Sequence, residues 1–286
     1  ASLDSSLAVT LGNAIDLTAG ANLNLLGSNA LTLGGVISGG GGLIKNGAAT
    51  VTLTGANTYT GGTTINSGTL AIGAGGSLAS TGAVNLAGAG TLDISGGGNQ
   101  SIGSLAGVTG SAVSLGGNTL TLGGVGNTAF NGVIGGTGAL IKDGAGVQTL
   151  GGANTFTGGV TLNAGGLVVG NNAALGSGAL TVAGNGTLDA NAAVTLANDV
   201  ALGAGANLDV LGSNVRQDVV QHGMRRRAAR GERGVRRRGS GVIGRLLVLL
   251  QCGVRVHMLG RGGGELGGHV QRDVRGRGEV ALRGGV

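Results

Sequence analysis

Asp93, in GTLDIS at residues 90–95, and Asp189, in GTLDAN at residues 186–191, are matched carboxylates 96 positions apart, and repetition of that kind raises the question of a calcium or catalytic site. Calcium takes about six to eight oxygen ligands, and carboxylate hydrolysis needs a second carboxyl group or base close by. Residues 1–215 hold seven acids (Asp4, Asp16, Asp93, Asp143, Asp189, Asp199 and Asp209), none within two positions of another, so corner or cap roles are expected. Lys45 and Lys142 recur in the same way. A phosphate-binding lysine needs a Gly-x-x-x-x-Gly-Lys-Ser/Thr loop, whereas here each follows Ile and precedes Asn46 or Asp143, so both read as turn-flanking lysines. Tyr59 and Phe156 could stack on a sugar, but the expected role is covering a Gly-rich corner. Thr-x-Thr runs could offer a flat array to ice or a glycan, yet outward Thr is what any half-exposed strand prefers. No nucleophile, base and orienter set of the kind catalysis requires is found in residues 1–215. The expectation is a protein without catalytic residues, metal site or cofactor.

The other concentration of reactive side chains lies at the C-terminal end. Residues 1–215 carry two Lys, no Arg and seven acids, a net charge of −5, while residues 216–286 carry sixteen Arg and five acids, a net charge of +11. The overall +6 therefore describes a tail and not a domain. Arg225 to Arg227 and Arg236 to Arg238 could neutralise phosphates on nucleic acid or an anionic surface. The tail has no aromatic residue for base stacking and no periodic apolar face. Thr and Asn vanish after position 215 as Arg, Gly and Val surge, which is what GC-rich repeat DNA gives when read in a wrong frame. A frameshift near residue 215 is the favoured reading, ahead of a genuine disordered basic tail and of a folded nucleic-acid module. Under it Cys252, His222, His257 and His269 have no designed role.

The elements that hold these residues follow from composition. Gly accounts for 68 of 286 residues, Pro and Trp are absent, and there are one Tyr and two Phe. Collagen is excluded, since it needs Gly at every third position with abundant Pro, and helix is disfavoured because Gly costs about 1 kcal/mol against Ala in a helix interior. Runs such as Thr50-Val51-Thr52-Leu53-Thr54, Thr63-Thr64-Ile65, Thr69-Leu70-Ala71-Ile72 and Asn118-Thr119-Leu120-Thr121-Leu122 alternate polar with apolar, the pattern of a strand with one buried face. Gly-Gly, Asn-Gly, Ser-Gly and Asp-Gly pairs between them supply turn geometry. The longest aliphatic run, Leu246 to Leu250, falls far short of the ~18 residues of a membrane span. With no cysteine before position 252, residues 1–215 have to be stabilised by packing and backbone pairing.

Internal repetition decides the architecture. The segment GGLIKNGAATVTLTGANTYTGGTTINSGTLAIG (residues 41–73) returns as GALIKDGAGVQTLGGANTFTGGVTLNAGGLVVG (138–170) at an offset of 97, and GANLNLLGSN (20–29) returns as GANLDVLGSN (205–214) at an offset of 185. A sandwich would need larger core residues to fill a gap of about 10 Å between sheets. A parallel solenoid fits, each rung burying Leu, Ile, Val and Ala against its neighbours. At ~20 residues per coil and ~4.8 Å per strand, residues 1–215 make about ten coils and a rod of roughly 50 Å. The expected organisation is a β-helical unit over 1–215 followed by an Arg/Gly-rich tail over 216–286.

The repeated segment resembles the autotransporter-associated β-strand repeat, also called the passenger-associated transport repeat, of bacterial type V secreted proteins. The first copy carries the motif on Gly42, Leu43, Lys45, Gly47, Leu53, Gly55, Asn57, Thr58, Tyr59, Gly61, Gly62, Thr63, Gly68 and Leu70. The second carries it on Leu140, Lys142, Gly144, Leu150, Gly152, Asn154, Thr155, Gly158, Gly159, Gly165 and Leu167, with Phe156 for the Tyr and Val160 for the Thr. The resemblance implies a right-handed parallel β-helix, all-β, exported through a partner outer-membrane β-barrel translocator and displayed on, or released from, a Gram-negative surface, where a host surface or other cells would be its contacts. It implies an internal piece of a larger protein, acting as stalk or adhesin scaffold, with repeats that aid export. No nucleic-acid partner is expected for 1–215; binding through the Arg-rich tail is the alternative.

Overall fold

The computed structural model describes residues 1–211 together with the strands Arg233–Arg238 and Val254–Leu259. Every strand pair is parallel, and the partners lie about one coil apart in sequence: Asn22 faces Gly42, Leu43 faces Thr63, and Thr128 faces Gln148. Parallel pairing at that spacing is possible only if the chain winds continuously, because each strand must travel right round before meeting its neighbour. The result is a β-solenoid with three faces and no helix among the described residues.

One face is a long sheet, running from Ser2–Leu3 through Asn22–Leu25 and Gly42–Lys45 to Gly186–Ala190 and Leu208–Val210. Its eleven strands up to that point enclose ten coils, a rod of roughly 50 Å at the usual ~4.8 Å strand spacing. The second face is a seven-stranded sheet from Val9–Leu11 to Val133–Gly135. The third is made early on by Ile15–Leu17 paired with Ile37–Gly39, and later by six strands from Gln100–Ile102 to Val200–Leu202. Arg233–Arg238 and Val254–Leu259 continue the long sheet in parallel register, Leu208 facing Val235 and Val235 facing Val256. Otherwise the expectation for residues 216–286 lies outside the described residues.

Alternation of residue type becomes inside and outside as the sequence implies. Val51 and Leu53 are fully buried while Thr50 and Thr52 face outward. On the second face, Leu31, Val51, Leu70, Leu92, Val113 and Ile134 stand in register in six successive coils, all buried. Each such side chain contributes about 1.5–3 kcal/mol relative to exposure, and since it touches mainly the coil above and the coil below, stability is built from neighbour contacts. Tyr59, Phe130 and Phe156 all lie within this core.

Corners are drawn tight by glycine. Gly62 and its counterpart Gly159 both adopt φ +82°, where a side chain is strained. Gly47 needs its missing side chain for a different reason: a Cβ there would fall 1.1 Å from the Leu26 carbonyl oxygen of the preceding coil.

Candidate functional site

The long repeats occupy different faces of the solenoid. The first begins on the long sheet with Gly42–Lys45, continues on the second face with Thr50–Leu53, crosses the third face at residues 57–59, and returns to the long sheet with Thr63–Ile65. The second begins on the third face with Leu140–Lys142, continues on the long sheet with Val147–Leu150, and crosses the second face at residues 154–156 before Val160–Leu162. Four coils and two faces separate them, because 97 residues is not a whole number of coils. Their local structures nevertheless agree closely.

Each copy is centred on a buried asparagine that ties three coils together. Asn57 Oδ1 accepts the Ile37 N–H of the coil before at 2.8 Å, and its Nδ2 donates to the Ser77 carbonyl of the coil after, also at 2.8 Å. Asn154 does the same between the Ile134 N–H at 2.8 Å and the Ala174 carbonyl at 2.6 Å. The backbone adds to the hold on the coil before, Thr58 N–H and Thr155 N–H donating to the carbonyls of Ile37 and Ile134. Ile37–Gly39 and Val133–Gly135 are the last strands of their sheets at these points, so the side-chain amide takes over where a strand would have carried the ladder. A buried amide satisfied on both ends fixes register, whereas one left unpaired would be costly.

Tyr59 and Phe156, two places after the asparagines, are fully buried interior residues, so neither offers a platform to a sugar, and the Phe156 ring lies where a Cβ on the turn residue Gly176 would meet it at 3.1 Å. The Tyr59 hydroxyl pairs with Thr63 Oγ1 at 2.6 Å inside the core. In the second copy both hydroxyls are lost together, Phe156 replacing Tyr59 and Val160 replacing Thr63. A hydroxyl without its mate would be an unpaired buried polar group, and the joint change avoids it. Burial pushes the Tyr59 phenol up to about 12, the hydrogen bond to Thr63 working slightly against that.

Lys45 and Lys142 flank turns as expected, but their side chains run inward and are buried. Lys45 Nζ donates to the Gly47 carbonyl and, at 3.2 Å, to the Ser67 carbonyl of the next coil; Lys142 Nζ donates to the Gly144 carbonyl. Burial lowers both ammonium pKa values, and Asp143 offsets part of this for Lys142. Gly47 and Gly144 sit where a Cβ would collide with the coil before, and Gly61 and Gly158 likewise press on Gly41 and Gly138. Leu43, Leu70, Leu140 and Leu167 complete each copy as core residues. Just outside the lysines, Asn66 Nδ2 donates to Asn46 Oδ1 at 2.6 Å and Asn163 Nδ2 to Asp143 Oδ1 at 3.0 Å, a rung-to-rung ladder on the corner.

The remaining candidates are not brought together. Asp93 lies on the second face, accepting the Ser95 N–H at 2.9 Å, and Asp189 lies on the long sheet, accepting the Ala190 N–H at 2.8 Å. Among the described residues there is no group of three or more His, Cys, Asp or Glu that could hold a metal ion. Outward Thr residues form no unbroken array: Thr10, Thr32 and Thr52 are followed in register by Ala71 and Asp93, and Ile141 interrupts Thr121 and Thr161. The sequence reading missed further stitching side chains. Gln100 accepts the Leu78 N–H and donates to the Gly76 and Gly97 carbonyls, and Gln148 Nε2 reaches the Leu105 carbonyl at 3.0 Å. Their signal is a polar residue at an inward position of an alternating strand, as with Lys45 two places after Leu43.

These features define a β-solenoid whose chemistry lies in binding its own coils together. The family model of the passenger-associated-transport-repeat matches residues 43–72 and 140–169. The two long repeats are similar to the passenger-associated transport repeat, and with the coiled fold they are consistent with an autotransporter passenger scaffold. Neither a curated protein nor a solved structure matches the chain. No helix among the described residues is long and apolar enough to cross a membrane.

Proposed function

We propose that this chain is a non-catalytic passenger segment, a surface-displayed or secreted stalk that serves as an adhesin scaffold, and that its transport repeats aid export through an outer-membrane β-barrel translocator. The observation that carries this reading is the three-coil stitch made by Asn57 and again by Asn154. A chain emerging unfolded has to capture each new coil on the last, and a side chain bonding both neighbours holds register while the next coil forms. The absence of cysteine from residues 1–215 suits passage as an extended chain. The seven aspartates of this part lie at its surface while both lysines are buried, so the solenoid itself repels nucleic acid and anionic membranes, and a partner would be neutral or basic.

The test joins the chain to a secretion signal and a translocator barrel and measures protease-accessible passenger on intact cells. Replacing both Asn57 and Asn154 by Ala is expected to lower display severalfold at equal synthesis. Unchanged display would remove the export role. Adhesion of the displayed chain to host or bacterial cells, measured against barrel-only cells, tests the scaffold reading separately.

A further inference from the structure

Three bonds of this chain join Asn to Gly: Asn46–Gly47, Asn131–Gly132 and Asn185–Gly186. Asparagine is a thermolabile residue, and before glycine it is open to attack by its own main chain, because glycine brings no Cβ to obstruct the approach of its nitrogen to the side-chain carbon. All three asparagines are exposed, so access of water to the side chain does not rank them. Hydrogen bonding does. Asn46 Oδ1 is engaged by Asn66 Nδ2 at 2.6 Å, and the Gly47 N–H donates to the Leu25 carbonyl at 3.4 Å. Asn185 Oδ1 accepts both the N–H and the Nδ2 of Asn207, at 3.1 and 3.0 Å, and the Gly186 N–H donates to the Asn207 carbonyl at 3.0 Å. Asn131 has neither restraint. Among the described residues nothing hydrogen-bonds to its side chain or to the Gly132 N–H. The next coil presents only the bare Gly151 to it, where a Cβ would fall 2.2 Å from Asn131 Oδ1. Gly132 is buried on the coil before, its own Cβ position lying 2.4 Å from the Ser111 carbonyl, so a bulkier and less reactive neighbour has no room. The corresponding stretch of the first long repeat avoids the pair, with Gly34 and Gly35 in place of Asn131 and Gly132 and Thr54 in place of Gly151.

We propose that Asn131–Gly132 is a self-modification site, the bond at which the folded chain deamidates first. The Gly132 amide nitrogen, its proton taken by hydroxide, bonds to Asn131 Cγ; the Cγ–Nδ2 bond breaks, and ammonia leaves with a proton from water. Water then opens the resulting cyclic imide. Breaking the new N–Cγ bond leaves aspartate at position 131, while breaking the bond from that nitrogen to the main-chain carbonyl leaves isoaspartate, with the main chain rerouted through Cγ. Either product places a carboxylate on this corner. Isoaspartate also lengthens the main chain by a methylene between two anchors, Asn131 N–H to the Gly107 carbonyl at 2.8 Å and Val133 N–H to the Ser111 carbonyl at 3.0 Å. Next in the chain is Ile134, whose N–H is the one that Asn154 holds. The modification therefore loosens the stitch of the second long repeat with time and spares that of the first. This assignment rests on the fold and not on the passenger reading.

The test ages the full chain in mildly alkaline buffer at body temperature, folded and in parallel in denaturant, and follows conversion at each Asn-Gly bond by peptide mass spectrometry. In the folded chain Asn131 is expected to convert faster than Asn46 and Asn185 by about fivefold or more, the factor that one retained hydrogen bond supplies. In denaturant the three rates are expected to converge. An equal or faster rate at Asn46 or Asn185 in the folded chain would overturn the assignment. So would the same lead for Asn131 in denaturant, which would trace it to neighbouring sequence and not to the fold. Amide exchange at Ile134 should quicken as the folded chain ages and stay constant in Asn131→Gln, with Ile37 unchanged in both. A constant Ile134 rate in a converted chain would overturn the loosening of the stitch.

Discussion

Replacing Asn57 by Ala removes the acceptor of the Ile37 N–H and the donor to the Ser77 carbonyl, both 2.8 Å bonds in a place closed to water. Each stranded backbone group costs about 1–3 kcal/mol when it is left buried without a partner, so the loss of both should destabilise this stretch by about 2–6 kcal/mol. The loss should be local, because a solenoid transmits stability through nearest-neighbour contacts. Hydrogen exchange read residue by residue is therefore the assay of choice, with urea unfolding beside it. Exchange at the Ile37 amide should accelerate by about 30-fold or more, with smaller effects along Ile37–Gly39, and Leu120–Leu122 should be unaffected. Asn154→Ala should reproduce the pattern around Ile134, and the double variant should be additive, since the sites share no partner. An Ile37 amide that keeps its wild-type rate would refute the stitch, for it would mean that another group or a water replaces the side chain at no cost.

The hydroxyl pair gives a complementary expectation. Tyr59→Phe and Thr63→Val should each cost about 1 kcal/mol, while the double variant, which reproduces the Phe156 and Val160 arrangement, should recover part of the sum; a thermodynamic cycle showing no coupling would sink the pairing argument. Tyr59 is the only tyrosine, so tyrosinate absorbance titrates it directly, with a midpoint near 12 in the folded chain and about 10 in denaturant. The folded pKa being the higher, the stability linked to Tyr59 is complete below about pH 10 and falls by about 2–3 kcal/mol as pH climbs to 12. Tyr59→Phe should abolish that decline, and a folded-state midpoint near 10 would contradict the burial.

The solenoid was legible because its determinants are local and repeated. Alternation at Thr50–Leu53 and Thr69–Ile72 names both strand and inward face, and repetition implies stacking. The role of the motif residues was not legible, because it depends on which coil comes above. Asn57 looks like a turn residue in sequence, yet its partners lie twenty positions away on either side. Lys45 ends a strand and precedes Asn-Gly, the usual setting of an exposed turn lysine; only the Ser67 carbonyl of the next coil shows why it turns inward. Tyr59 and Phe156 resist reading for the same reason, since burial beside Thr63 or Val160 follows from where the coil closes. A search for polar residues two places from a core Leu would have singled out Lys45 and Lys142.

The two-thirds turn between one long repeat and the next has a mechanical consequence. Were the period a whole number of coils, every asparagine and lysine anchor would line up along one side, leaving the opposite sides to split like wood along the grain. Advancing by 97 residues sends each anchor to another side of the prism, and a third unit would reach the remaining one before the pattern recurred. Such a screw-like distribution spreads fastening evenly about the axis, so a pull or a sideways load meets comparable resistance from any direction.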